Sequence, residues 1–201
     1  MKRGLFITFE GPEGAGKTTH ALFLKYWLEK EGYSVLVTRE PGGTVIGSKL
    51  RRILLRDAMD ATVELLLYEA SRAVLVSEVI RPALKAGKIV ILDRFQDSTW
   101  VYQGWAGGMD LELVEEIGQA ATGGLEPDLT ILLDLPVRRG LARVRHPNRF
   151  EAKPVTFHQK VRQGYLVLAR RKKRRIKRVR ADRPIKQVHD EIRRIVENVL
   201  R

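Results

Sequence analysis

The sequence predicts an α/β fold, a five-stranded parallel sheet with helices on both faces. Three observations carry that expectation. Short runs rich in Val, Ile and Leu recur with room for a helix between them. The intervening stretches place apolar residues at helical spacing. The first run leads directly into GPEGAGKTT, residues 11–19, a turn of the type G-x-x-x-x-G-K-[ST] that joins a strand to a helix. Strands buried on both faces read as unbroken apolar runs, and right-handed crossovers join them. No repeat, low-complexity linker or composition break divides residues 1–201, which are expected to form a single domain.

In chain order, residues 5–9 form the first predicted strand. The helix after the glycine-rich turn carries Ala21, Leu24, Trp27 and Leu28 on one face and stops at Gly32. Residues 34–38 are the second strand, and Pro41-Gly42-Gly43 a tight turn beyond it. Residues 88–92 form the third strand. Asp110 is the expected N-cap of a helix over 111–122, with Gly123-Gly124 as its stop. Strands at 129–133 and 176–180 follow. In the last helix Ile185, Val188, Ile192, Ile195, Val196 and Val199 make one stripe, and Pro184 stands at its start.

Composition excludes several chemistries. The 201 residues are 44% hydrophobic and 30% charged, ordinary for a globular domain. There is no cysteine, so disulfides and thiolate metal sites are absent from the options. His20, His146, His158 and His189 lack metal-ligand spacing. No signal-peptide pattern and no apolar stretch of about 18 residues occurs, so a cytoplasmic location without a membrane partner is expected. The net charge is +13, of which residues 170–183 supply nine units. No aromatic residue interleaves that run, which reads as solvated surface rather than a specific nucleic-acid site.

The glycine-rich turn is a phosphate loop. Gly11, Gly14 and Gly16 give the backbone the dihedral freedom to wrap an anion, and the helix that follows adds its positive dipole end. Lys17 is expected on the β- and γ-phosphates, and the Thr18 hydroxyl on Mg²⁺. Pro12, Glu13, Ala15 and Thr19 complete the nucleotide-binding segment. N-K-x-D and D-x-x-G do not occur, which disfavours a GTPase and leaves ATP as the expected donor. Asp93-Arg94 ends the third strand, at the sheet edge where ligands bind in open α/β folds. Asp93 there suits Mg²⁺ or its waters, and Arg94 suits a second phosphate.

Three further segments accompany the phosphate loop: TREPGGT (38–44), ELLLYEASR (64–72) and DRFQDSTWVYQG (93–104). Together they resemble the signature segments of thymidylate kinases, in that family's order and across essentially the whole chain. The resemblance implies the P-loop NTPase fold of the nucleoside monophosphate kinases. It implies ATP with Mg²⁺ as donor, dTMP as acceptor, and a homodimer, for which the helices around 64–86 are candidates. It places Tyr68 on the thymine ring, Arg72 on its O4, and Ser98 and Thr99 near its N3 edge. Tyr102 packs beneath the sugar, and Arg94 grips the acceptor phosphate. Glu40 and Pro41 belong to the turn bordering that phosphate, with Arg51 (or Arg39) as an additional ligand. Glu13 matches an acidic position near the acceptor sugar and metal.

One subgroup of the family carries a catalytic arginine inside the phosphate loop, where this chain has Gly14. The other uses a mobile lid, which residues 141–153 resemble. There Arg149 is expected to meet the transferring phosphoryl group, with Arg143 and Arg145 as further candidates, one of them over adenine. Asn148 replaces the usual Asp before that arginine, and the lid is shorter than in many relatives. The alternatives are another P-loop nucleoside or nucleoside monophosphate kinase, or a nucleic-acid-binding ATPase using the basic run.

Overall fold

The computed structural model describes residues 4–200. β1 (Phe6–Glu10) lies at the centre of a parallel sheet, flanked by β3 (Ile89–Asp93) and β4 (Leu129–Asp134). β2 (Val35–Arg39) and β5 (Ile176–Arg180) form the edges, giving the order β2-β3-β1-β4-β5. All five predicted strands are present, but four of them end one residue later than the apolar runs do. The hydrogen-bonded ladder runs on into Glu10, Arg39, Asp93 and Asp134, whose charged side chains ended the apolar pattern.

Alternation along β1 sorts the two faces. Ile7 and Phe9 pack with Ile91, Ile131 and Leu133 against α1 (Lys17–Lys30) and α9 (Ile185–Leu200), through Leu24, Leu28, Val188, Ile192 and Val196. Phe6 faces the other way, against Leu75 and Ile80, where α3 (Ala61–Leu75) runs through a π-helical stretch, Val76–Ile80, into α4 (Arg81–Lys85). Thr8 and Glu10 share that second face, where α8 (Val155–Arg171) packs through Val161, Tyr165 and Leu168. The stripe of α9 is narrower than expected: Ile185 and Val199 are exposed. Trp27 is only half-buried.

The remaining helices are α2 (Val45–Arg56), α5 (Gln96–Thr99), α6 (Leu111–Thr122) and α7 (Val137–Leu141). α5 continues through a second π-helical stretch, Trp100–Trp105. Asp110 caps α6 by accepting from the Glu112 N–H at 2.9 Å, and Gly123 ends it at φ +57°.

The basic run is not uniformly solvated. Arg175 donates to both carboxylate oxygens of Asp97 at 2.7 and 2.8 Å, inside the fold. Arg178 pairs with the buried Asp134 at 2.6 Å, and Arg183 with Glu191. Asp97 and Asp134, distant in sequence, meet Arg175 and Arg178 only once β5 is laid beside β4, which periodicity does not reveal. Lys177, Arg178 and Arg180 also charge an edge strand, which discourages pairing with another chain.

Candidate active site

The central strands end together, and their ends build the site. β1 pairs with β3 so that Phe9 lies opposite Asp93, and the Arg94 N–H donates to the Phe9 carbonyl at 3.0 Å. Arg94 therefore emerges beside Gly11. It holds φ +71°, a left-handed conformation that costs a side-chain-bearing residue roughly 1–2 kcal/mol. That turn aims the guanidinium across the phosphate loop. Its Nη1 lies 3.3 Å from the Gly11 carbonyl, and Nη2 donates to Glu13 at 3.0 Å and to the Tyr102 hydroxyl at 3.3 Å.

Lys17, the first residue of α1, is buried and donates to the carbonyls of Gly11 at 3.1 Å and Pro12 at 3.0 Å. Lys17 and Arg94 thus converge on one carbonyl oxygen. Burial lowers the Lys17 pKa, and so does the neighbouring Arg94; Glu13 and Asp93 oppose this. Two like charges held this close create a strong local attraction for polyanions. Thr18 donates to Asp93 at 2.5 Å. A hydroxyl and a carboxylate at the mouth of a phosphate loop are hard oxygen donors of the kind Mg²⁺ takes, with phosphate and water completing its shell, so these residues fit that ion. Among the described residues no group of three or more His, Asp or Glu side chains could hold a metal without such help.

A cavity of about 340 Å³ extends from the phosphate loop to α3. Arg39, Glu40, Pro41, Arg51, Tyr68, Arg72, Ser98, Thr99 and Tyr102 line it together with Glu13–Thr19, Asp93 and Arg94. Arg51 is tied to the Pro41 carbonyl at 2.9 Å. Arg72 is almost wholly enclosed. Its Nε donates to Glu40 at 2.7 Å, Nη1 to Glu69 at 2.5 Å and to Gln96, and Nη2 to Thr99 at 2.9 Å. A guanidinium has five N–H groups, so one on Nη2 remains for a ligand in the cavity.

Two residues central to the site escape sequence reasoning. Glu10 is fully buried and accepts from the Phe95 N–H at 2.7 Å, Ser98 at 2.6 Å and Tyr165 at 2.9 Å. The Tyr165 hydroxyl also meets Arg94 at 3.1 Å and Ser98 at 2.8 Å. The strand-end rule that singles out Asp93 applies equally to Glu10. Tyr165 sits in an apolar helical stripe and carries no such signal.

The carboxyls divide in character. Burial would raise Glu13, but Arg94, Lys17 and the Tyr102 hydroxyl overcome it and hold the pKa at about 2. Burial raises Glu10 to about 7, with Asp97 adding to it. Burial likewise raises Glu40 to about 7 against the pull of Arg72, and Glu69, which shares that guanidinium, adds to the rise. A carboxyl raised on folding contributes stability that is complete below its unfolded pKa, near 4.5, and lost as pH climbs to about 7. Glu13 acts oppositely: its contribution is complete above 4.5 and lost as pH falls toward 2. Burial lowers His20 to about 4, which works the other way over this window, so urea unfolding should show Glu40→Gln losing less stability between pH 4.5 and 7 than the wild type does. An unaltered slope in that variant would reject the assignment.

The segment 141–153 departs from expectation. Arg143 donates from Nη1 to the Gly14 carbonyl at 3.0 Å, at the apex of the phosphate loop. Arg149 does not approach that loop. Its Nε donates to the Leu54 carbonyl at 2.6 Å, and its Nη2 lies 2.6 Å from Glu64, so α2 and α3 hold it. The physical reason is local: Leu54 lies in the last turn of α2, where carbonyls lack helical partners and attract a cation, and Glu64 is a buried carboxylate beside it. Arg149 is therefore held against α2 and α3 rather than at the phosphate loop.

Gly140 in α7 rests directly on the phosphate loop. A β-carbon there would overlap the Glu13 carbonyl, a backbone atom that cannot swing aside. Gly140→Ala should destabilise the fold by about 1–3 kcal/mol and weaken ATP binding. Denaturant melts and nucleotide titration check this, and wild-type values in both would refute it.

Comparison with known proteins agrees with this geometry. The family model described as Thymidylate kinase matches residues 9–192. A thymidylate kinase of Desulfovibrio desulfuricans is 45% identical over 210 residues, covering 98% of this chain and 97% of that protein. One from a Synechococcus species is 51% identical over 178 residues, covering 88% and 86%. Among solved structures, the thymidylate kinase from Ehrlichia chaffeensis superimposes with a TM-score of 0.81 at 33% identity, covering 97% of this chain and 99% of that one. With a phosphate loop, a strand-end arginine and the matching segments all in one cavity, the chain belongs to the thymidylate kinase family.

Proposed function

We propose that this protein transfers the γ-phosphoryl group of ATP to the phosphate of dTMP, giving dTDP and ADP, a step of dTTP biosynthesis. The observation that carries the reading is the shared Gly11 carbonyl: Lys17 and Arg94 both contact it, so two anions drawn to them meet within bonding reach. Lys17 and the backbone N–H groups of residues 13–19 hold the donor phosphates, with Arg143 beside them at Gly14. Arg94 holds the acceptor phosphate, assisted by Arg51. Thr18 and Asp93 would hold Mg²⁺, directly or through its waters, and the ion would supply charge neutralisation for the bound phosphates. Closing the cavity excludes water, which would otherwise take the phosphate.

At the far end of the cavity, the free N–H of Arg72 suits a carbonyl such as thymine O4 and mismatches the amino group of cytosine. Thr99 accepts from Arg72 there, whereas Ser98 is tied to Arg94 and Glu10; Tyr68 offers a ring face, and Tyr102 lies where a sugar would rest. Glu13, kept ionised beside Arg94, suits a sugar hydroxyl or a metal-bound water.

The partners are small nucleotides, and the location is cytoplasmic; among the described residues no helix is long and apolar enough to cross a membrane. The exposed apolar side chains Val63 and Leu66 of α3 and Leu113 of α6 support a homodimer, which sedimentation would test. A coupled assay with ATP and Mg²⁺ should give turnover with dTMP well above dUMP, dCMP and AMP. A higher rate with another acceptor would overturn the thymine assignment, and ATP hydrolysis stimulated by DNA would favour the nucleic-acid rival.

A further inference from the structure

The sequence reads residues 141–153 as a flap over the donor, yet its two ends are tied to different substrates' sites. Arg143 meets the phosphate loop at Gly14, while residues 148–151 are folded against α2, α3 and the stretch Trp100–Trp105. A closed set of hydrogen bonds shapes this second end. The Asn148 side-chain carbonyl accepts from the N–H groups of Phe150 at 2.8 Å and Glu151 at 3.2 Å, and the Glu151 carboxylate accepts from the Asn148 N–H at 2.8 Å. That reciprocal pattern fixes a tight turn with Arg149 at its crest.

Arg149 then fastens the turn. It donates to the orphan carbonyl of Leu54 and pairs with Glu64, whose other oxygen accepts from Gln103 at 2.7 Å. Its guanidinium also lies 4.4 Å from the centroid of the Phe150 ring. Phe150 is held beneath it, only 4% exposed, with its ring centroid 6.0 Å from that of Tyr68 and 6.2 Å from that of Tyr102. Phe150 nevertheless lines the cavity, between the two tyrosines proposed to meet the acceptor's base and sugar.

We propose that Phe150 is a wall of the acceptor nucleoside site, and that Arg149 is the positioning residue that latches it there through Leu54 and Glu64. The inference rests on the acceptor reading given above. It assigns Arg149 to acceptor binding rather than to the transferring phosphoryl group. Because the donor end of the same segment carries Arg143, one short segment frames both substrates.

The test is a set of steady-state measurements on Phe150→Ala, Phe150→Tyr, Arg149→Ala and Arg149→Lys, varying dTMP and ATP separately, with thermal melts in dTMP alone and in ATP alone. Phe150→Ala should raise the KM for dTMP about tenfold or more, with the ATP KM within about twofold, and should lose most of the dTMP-induced rise in Tm. Phe150→Tyr should stay near wild type. Arg149→Ala should move the same constants in the same direction, and Arg149→Lys should recover part of the loss because an ammonium still reaches Glu64. A fall in Tm with both KM values unmoved would reduce Phe150 to packing and overturn the proposal. So would Arg149→Ala lowering turnover at saturation while leaving the dTMP KM unchanged, which would return Arg149 to the phosphoryl group. If the wild type prefers another monophosphate, the dTMP assignment fails while the same comparison with that acceptor still decides the latch. Inactivity with every acceptor would overturn both.

Discussion

Replacing Lys17 with methionine should lower turnover by about 10²–10³-fold at saturating ATP and dTMP, with the dTMP KM changing about twofold or less. Phosphoryl transfer asks the protein for positioning and charge neutralisation rather than covalent chemistry. Lys17 is buried at the start of α1 and tied to the Gly11 and Pro12 carbonyls, so its ammonium is already in place before the nucleotide arrives. Its energetic position is unfavourable in the free enzyme, because burial and Arg94 both penalise the charged form. Bound phosphate relieves that penalty, and most strongly where negative charge accumulates. Methionine keeps an unbranched side chain, one atom shorter, and removes the charge. A loss of less than tenfold in a coupled assay would mean that the transferring group is stabilised elsewhere.

Arg94→Ala should strike binding and stability together. Charge-assisted hydrogen bonds are worth about 1.5–3 kcal/mol each, so losing the grip on the acceptor phosphate should raise the dTMP KM by roughly 10- to 100-fold. Turnover should fall as well, since the acceptor is no longer aligned. The substitution also strands Glu13, which is partly buried and depends on this guanidinium for its low pKa. Removing one partner of such a pair costs about 3–5 kcal/mol, near 10 °C in Tm for a chain of this size. Relief of the left-handed backbone strain is smaller, because alanine tolerates φ +71° little better than arginine does. Arg94→Lys keeps a charge but not the fork, and should fall between the two. Calorimetry and a dTMP titration would check both effects. An unchanged dTMP KM would remove Arg94 from the acceptor site.

The fold was legible because its strands are buried on both faces, and such strands announce themselves as apolar runs. What the runs conceal is where the strands end. Glu10, Asp93 and Asp134 continue the ladder as charged residues, so the hydropathy signal stops one residue short of the sheet edge that carries function. The phosphate loop declares itself because its spacing is local. The partners of Arg94 do not: Tyr165 is 71 residues away, and only the packing of α8 on the sheet brings it near. Arg149 illustrates the remaining gap. Its motif places it in a flap, but its direction is set by an orphan carbonyl on α2 and a carboxylate on α3, neither of which belongs to the motif.

Gly14 and Gly140 meet back to back, with Gly14 at φ +67° and no room for a β-carbon on either. In evolutionary terms this closes a route. A guanidinium cannot be grafted onto the loop apex by one codon change, because α7 would first have to lift away, and that shift gains nothing alone. While this contact stands, a charge for the loop apex has to be recruited from outside the loop.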